Sequence, residues 1–236
     1  MYYKVSNTAT RNVIENEFGV HLKYPRVHVP NPVINGLEEE LLPIITEDNS
    51  NLVNFAVWGL LPNNYIGDWE TYQQIENTLN IPVEKLCSNS LSFIGKASKR
   101  CLIVVTGYFV SHLHQGELYP YYVHLPQNEP FMIGGIYTSL NDGFITAALL
   151  VGKGTNGIPQ EIHNLGLEAP LIIPKTEKTN WLEHKLEESD FDGLIELNQK
   201  SNFTAYPIAK EFYYRNIKFR SMLDPVFYET LPILHA

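Results

Sequence analysis

Four short runs of β-branched, aromatic and aliphatic residues follow one another through the middle of the chain: residues 101–105 (CLIVV), 121–125 (YYVHL), 131–133 (FMI) and 144–150 (FITAALL). Such side chains suit a pleated surface with at least one buried face, and runs this short bounded by Pro, Asn and Gly read as strands. They predict one sheet system, mostly antiparallel. A chain of 236 residues can enclose it, since proteins of this size bury roughly 70–75% of the surface of the unfolded chain.

Helical patterns flank these runs. Ser6, Asn7 and Thr8 offer N-cap oxygens to a helix over residues 8–18, in which Val13, Ile14 and Phe18 share a face and Gly19 marks the end. The segment before it is expected to be a strand. Residues 23–43, rich in Pro, Asn and branched apolar side chains, suit irregular edge strands and turns. Residues 55–62 (FAVWGLLP) read as a buried strand stopped by a turn, and a short helix is expected after Asp68, with Trp69, Tyr72 and Ile75 at helical spacing. Two further helices are expected at 178–186, with Trp181, Leu182 and Leu186, and at 191–199, with Leu194, Ile195 and Leu197. No linker, low-complexity stretch or repeat interrupts the sequence, so the economical assignment is one α+β domain over residues 1–236.

The chemistry these residues announce by themselves is thin. No apolar run approaches the ~18 residues that a membrane-crossing helix needs, and no membrane partner is expected. The opening MYYKVS lacks the layout of a secretory signal, which points to the cytoplasm, and Met1 is expected to stay because a large residue follows it. Cys87 and Cys101 are too few for a disulfide framework or a four-cysteine zinc site and read as buried, reduced thiols. A net charge of −9 argues against a broad electrostatic grip on nucleic acid. Local basic patches are conceivable at Lys96, Lys99 and Arg100 and at Lys210, Arg215, Lys218 and Arg220, although a solvated face explains either stretch more simply. His112 and His114, two apart, and His124 have no Cys, Asp or Glu at ligand spacing and read as surface histidines. Neither a metal nor a cofactor is expected, and a P-loop, His-Glu-x-x-His, Gly-x-Ser-x-Gly and a dinucleotide fingerprint are all missing.

Several segments taken together say more than any one alone. They are 79–84 (LNIPVE), 99–109 (KRCLIVVTGYF), 161–164 (EIHN), 170–173 (PLII), the opening MYYKVS, 58–62 (WGLLP) and 205–210 (AYPIAK). In order and spacing they resemble the SRAP family, the SOS-response-associated peptidase domain that processes abasic sites in single-stranded DNA. The family's corresponding elements are Met-Cys-[Gly/Tyr]-x-x-Ser, Trp-Gly-Leu-x-Pro, Asn-Ala-Arg-x-Glu, Gly-aromatic-aromatic-Glu-Trp, Ile-His and His-Pro-Val-Ser-Lys. The resemblance covers nearly the whole chain and implies an α+β domain with a mostly antiparallel, barrel-like β-sheet core and peripheral helices.

It also implies a chemistry. In that family Met1 is removed, the exposed cysteine attacks the aldehyde of a ring-opened abasic sugar, and its thiol and α-amine close a thiazolidine ring. An Asn orients the terminal residue and substrate, a Glu handles protons, and a His supplies a second acid–base group. By this resemblance Asn80 and His163 are the surviving site residues, while Glu84, which keeps its place, and Lys4, where many members have Arg, are candidate DNA contacts. The other positions depart from the pattern. The cysteine position holds Tyr2, a phenol that titrates near ~10 and is a poor nucleophile. Val110 stands where the proton-handling Glu is expected, Ser111 in place of the Trp, Pro82 in place of one Arg and Glu168 in place of another. A carboxylate next to a phosphate repels it.

These departures leave three readings. One is a divergent, catalytically inactive SRAP protein that binds single-stranded DNA weakly or contacts a protein partner. A second forms an imine with abasic DNA through Lys4 or the Met1 amine. A third is a protein- or ligand-binding module without DNA activity. Peptide hydrolysis is not expected, because no nucleophile–base–orienter set is visible. Simpler roles stand beside each residue: Asn80 as a turn cap before Pro82, His163 as a donor to a loop carbonyl, and Trp58 as core instead of a base-stacking platform.

Overall fold

The computed structural model describes residues 2–87, 98–183, 188–198, 202–214 and 219–232. Its elements run β1 (Lys4–Asn7), α1 (Arg11–Phe18), β2 (His21–Leu22), β3 (Asn31–Asn35), β4 (Leu41–Thr46), β5 (Asn49–Trp58), α2 (Trp69–Ile75), β6 (Asn80–Pro82), α3 (Val83–Cys87), β7 (Lys99–Val105), β8 (Gly107–His114), β9 (Glu117–His124), β10 (Phe131–Ser139), β11 (Ile145–Lys153), β12 (Glu168–Pro170), β13 (Ile172–Ile173), α4 (Lys178–Glu183), α5 (Glu188–Asn198), β14 (Thr204–Pro207) and α6 (Glu211–Tyr214).

The apolar runs form two sheets where one was expected. β9 lies in a five-stranded antiparallel sheet of order β14-β9-β8-β1-β3, whereas β7, β10 and β11 lie in a nine-stranded sheet that follows β12-β11-β10-β7-β4-β5-β2, with β6 beside β11 and β13 beside β10. Pairing is antiparallel except where β5 and β6 meet β11 and where β2 meets β5. The end of β5 returns to β11 through Val57 and Trp58, so the larger sheet curls into a barrel-like form without becoming a fully closed barrel.

Alternation along β7 explains why 101–105 is apolar without a break. Cys101, Ile103 and Val105 face the core between the sheets, beside Val5, Tyr108 and Val110 of the smaller sheet. Leu102 and Val104 face the opposite layer, beneath Ile14 and Phe18 of α1, Trp181 and Leu182 of α4, and Phe191 and Leu194 of α5. A strand buried on both faces needs apolar residues at every position. The outer face of the smaller sheet is closed by Phe109, Tyr122, Ile208 and Phe212.

Some local expectations shift. Helix α1 begins at Arg11, not at residue 8, because the anticipated cap oxygens are used to join strands. Asn7 donates to the Val104 carbonyl at 2.8 Å and its oxygen accepts from Ala9 N, while the Thr8 amide donates to Thr106 Oγ1. Its buried residues are Ile14 and Phe18, with Val13 exposed, and Gly19 ends it at φ 62°. Helix α2 follows Asp68 as its spacing predicts, capped by the Asp68 carboxylate on Thr71 N at 2.7 Å, but Gln73 is buried and Ile75 exposed. Within the irregular region, β4 is an interior strand. Pro43 is tolerated there because pairing with β7 begins only at Ile44. β5 starts at Asn49 and stops at Trp58, earlier at both ends than the expected strand. Leu186 and residue 199 lie outside the described residues, and Leu197 is exposed.

The chain crosses between the sheets at Thr106-Gly107. Thr106 N donates to the Ser6 carbonyl at 2.7 Å, and a Cβ on Gly107 would sit 2.2 Å from the Tyr122 ring. Tyr122 is fully buried and cannot swing away. Gly107→Ala is therefore expected to destabilise the protein by about 1–3 kcal/mol through overpacking, read as a lowered urea midpoint with an unchanged slope. An unaltered midpoint would show that the crossing is looser than its contacts imply.

Candidate functional site

Strand β1 lies between β8 and β3, and Tyr2, two residues before it, packs against the core. Tyr2 is 4% exposed. Its carbonyl accepts from Asn80 Nδ2 at 2.6 Å, and its hydroxyl donates to the Glu168 carbonyl at 2.7 Å. The ring meets Tyr108 edge-on at 5.8 Å and His163 at 6.0 Å. Burial raises the phenol pKa well above its ordinary value, with Tyr108 and Glu168 adding to the shift. At neutral pH this side chain is an uncharged donor.

Asn80 reaches the second residue because β6 runs parallel to β11 in the register Leu149↔Asn80. One end of its amide holds the Tyr2 carbonyl, and its Oδ1 is buried without a hydrogen-bond partner among the described residues. The role as a mere turn cap does not describe this geometry.

His163 sits on the connection between β11 and β12. The connection is closed by Gly154 N on the Leu167 carbonyl and anchored by buried Ile158 and Ile162. It is also tied to β8: Asn164 both donates to and accepts from the Leu113 backbone at 2.9 Å, and His112 Nδ1 lies 2.7 Å from the Glu161 carbonyl. The His163 Nδ1 is buried without a hydrogen-bond partner among the described residues. Desolvation lowers its pKa, which favours the neutral imidazole.

Together Tyr2, Val110, Ser111, Lys153, His163 and Glu168 border a cavity of about 540 Å³. Val110 offers it only methyl groups, and the Ser111 hydroxyl accepts from Tyr213 at 2.7 Å. Lys153 was not singled out in the sequence. It stands opposite Glu168 in the β11–β12 register, a proximity no linear motif announces.

Lys4 and Glu84 do not border this cavity. Lys4 projects to the outer face of the smaller sheet, where its ammonium donates to the Phe212 carbonyl at 2.7 Å and lies 4.4 Å from that ring's centre. Burial lowers its pKa, opposed by Glu38. Glu84 is exposed on α3, and Pro82 pairs with Val151. In the candidate basic stretches Lys99 pairs with Asp48, Arg100 with Glu47 and Lys210 with Glu117. Lys96, Arg215 and Lys218 lie outside the described residues. His112 and His124 are buried, contrary to a surface placement: His112 shares the inward face of its strand with Tyr108 and Val110, and His124 lies on the outer face of its sheet, stacked on Tyr122 and against Tyr206. Trp58 is fully buried and donates to the Leu79 carbonyl. Cys101 is buried and free, and burial pushes its thiol pKa up; the Cys87 side chain lies outside the description. Among the described residues no helix is long and apolar enough to cross a membrane, and no group of three or more His, Cys, Asp or Glu is arranged to hold a metal ion.

Comparison with known proteins matches residues 1–213 to the family described as SOS response associated peptidase (SRAP). No curated protein matches the chain significantly. Among solved structures, a protein from Bacteroides thetaiotaomicron is similar with a TM-score of 0.78 and 21% identity, over 95% of this chain and all of that one. A protein from Bordetella bronchiseptica is similar with a TM-score of 0.68 and 14% identity, over 88% of this chain and 99% of that one. A phage-related protein from the same organism has a TM-score of 0.59 and 14% identity, over 88% and 94%. At these identities the likeness is one of fold.

The lowered pKa of His163 makes the site pH-sensitive in a definite direction. An unfolded histidine takes up its proton near pH ~6.5, before the buried one does, so stability is intact above that pH and is lost as pH falls toward the folded pKa. NMR titration should place His163 below the ordinary histidine value, and wild type should lose more stability than His163→Gln on acidification from neutral pH. Parallel pH profiles for the two proteins would refute the assignment.

Proposed function

We propose, from the premise that the chain belongs to the SOS response associated peptidase (SRAP) family, that it keeps the family's cleft for non-covalent recognition and has lost the covalent reaction with abasic DNA. The observation that carries this is the state of Tyr2: buried, neutral and engaged through both its hydroxyl and its carbonyl. A thiazolidine needs a sulfur and an amine on one residue, and a phenol supplies no sulfur. Its high pKa leaves almost no phenolate to act as a nucleophile.

The surroundings support the same reading. Val110 cannot exchange a proton at the glutamate position, and His163 is held neutral against the Tyr2 ring. The Asn80 contact is the part of the constellation that retains the orienting geometry the family resemblance assigns to that position. Cations paired with Asp48, Glu47 and Glu117 release few counterions on meeting phosphate, so contact with single-stranded DNA is weak and only shallowly salt-dependent. The alternative imine route through Lys4 requires a free amine at the cleft, whereas the Lys4 nitrogen donates to the Phe212 carbonyl on the far face of the sheet.

Single-stranded DNA carrying an abasic site should therefore yield no adduct stable to boiling in denaturant and none trapped by borohydride. Tyr2→Cys alone should not restore crosslinking, because Val110 still leaves the proton transfer unserved. An adduct from that single substitution would overturn the proposal.

A further inference from the structure

Where β5 ends against the turn between β10 and β11, a second cavity of about 680 Å³ opens, sharing no lining residue with the one at Tyr2. Its walls carry the rings of Tyr65, Trp69 and Phe144 and the aliphatic side chain of Leu61, and its charged members are Glu39 and Asp142. No Lys, Arg or His is among its lining residues.

The walls are fixed in advance. The Tyr65 ring packs edge-on against Tyr72 at 4.9 Å, and its hydroxyl donates to the Asp68 carbonyl. Gly67 presses so closely that a Cβ there would lie 2.5 Å from the Tyr65 oxygen. Asp142 is held by accepting from Phe144 N at 3.0 Å. Glu39 sits at φ 53°, a left-handed conformation that non-glycine residues adopt at some cost and that persists where surrounding structure imposes it. At the mouth Phe144 is 66% exposed and Ile66 99% exposed, although both are strongly apolar. Contiguous apolar exposure of this kind marks a surface that meets something.

Charge and polarity narrow the occupant. An anion is repelled by two carboxylates with no lining cation to offset them. A hard metal ion would find too few oxygen ligands among apolar walls. A neutral hydrocarbon would fill the walls while stripping water from the carboxylates without compensation. A cation with an apolar skin satisfies both features, because aromatic faces attract positive charge and methyl groups fill the space between them.

We propose that this cavity binds an alkylated ammonium group, either as a free quaternary ammonium compound or as a methylated lysine side chain. The test uses the full chain, with choline, its uncharged carbon isostere 3,3-dimethylbutanol, and a short peptide bearing trimethyllysine, each titrated by NMR and calorimetry. Choline or the peptide should bind at least tenfold more tightly than the isostere, and whichever is tighter identifies the source. Phe144→Ala should weaken binding tenfold or more, as should Glu39→Gln combined with Asp142→Asn, which keeps an acceptor for Phe144 N. Because these residues are at the surface, urea unfolding should show all variants folded. Equal affinity for the isostere, indifference to the substitutions, or no binding by either cation at millimolar concentration would overturn the proposal.

Discussion

The placement of β1 between β8 and β3 governs the rest of this structure. An N-terminal strand at an edge could fray, but this one is hydrogen-bonded on both sides and seats Val5 fully in the core between the sheets. The crossing at Thr106 is tied to it through the Ser6 carbonyl, and Asn7 reaches Val104 in the opposite sheet. One short strand thus fastens the two sheets together and fixes residue 2 beside them. The arrangement is a rigid platform on which a terminal side chain can be held within tight limits. What that side chain then does depends on its chemistry.

With tyrosine at that place, the platform serves packing. A tyrosine ring carries a large apolar surface, and burial of a side chain of this size contributes about 2–3 kcal/mol. Its hydroxyl is satisfied by the Glu168 carbonyl, so the ring enters without leaving a polar atom unpaired. Two polar side chains near it are less comfortable: Asn80 Oδ1 and His163 Nδ1 are buried without hydrogen-bond partners among the described residues. Unsatisfied atoms of this kind cost about 1–3 kcal/mol each.

The sequence makes some of this legible and hides the rest for physical reasons. β7 and β11 show as uninterrupted apolar runs because both of their faces are buried. Asn80 and His163 stand out only through their register with a family, since nothing local distinguishes a binding Asn from a turn cap; their convergence on Tyr2 comes from the β6–β11 pairing and the anchored loop. β8 is harder to read, because Ser111, His112 and His114 break its apolar pattern while Tyr108, Phe109 and Val110 are all buried. The division into two sheets is invisible because the chain changes sheet at several short connections, among them the dipeptide Thr106-Gly107, where contacts with Ser6 and Tyr122 set the direction. The aromatic cavity draws its acidic and aromatic residues from the start of α2 and from connections far apart in the chain, which linear reading cannot join.

Electrostatics gives the strongest reason to regard the two cavities as different in kind. At Tyr2 the groups that could carry charge inside are driven neutral: the phenol by its raised pKa and the imidazole by its lowered one. Desolvation acts on both in the direction that removes charge, so Tyr2 and His163 offer shape and hydrogen bonds without charge, and the charged members of this cavity are Lys153 and Glu168 on its border. At the aromatic cavity the charged members are carboxylates beside rings whose faces are themselves negative. Both features act with the same sign and both favour a cation. A chain of net charge −9 adds a long-range field in that direction, which steers cations toward the surface and holds polyanions off.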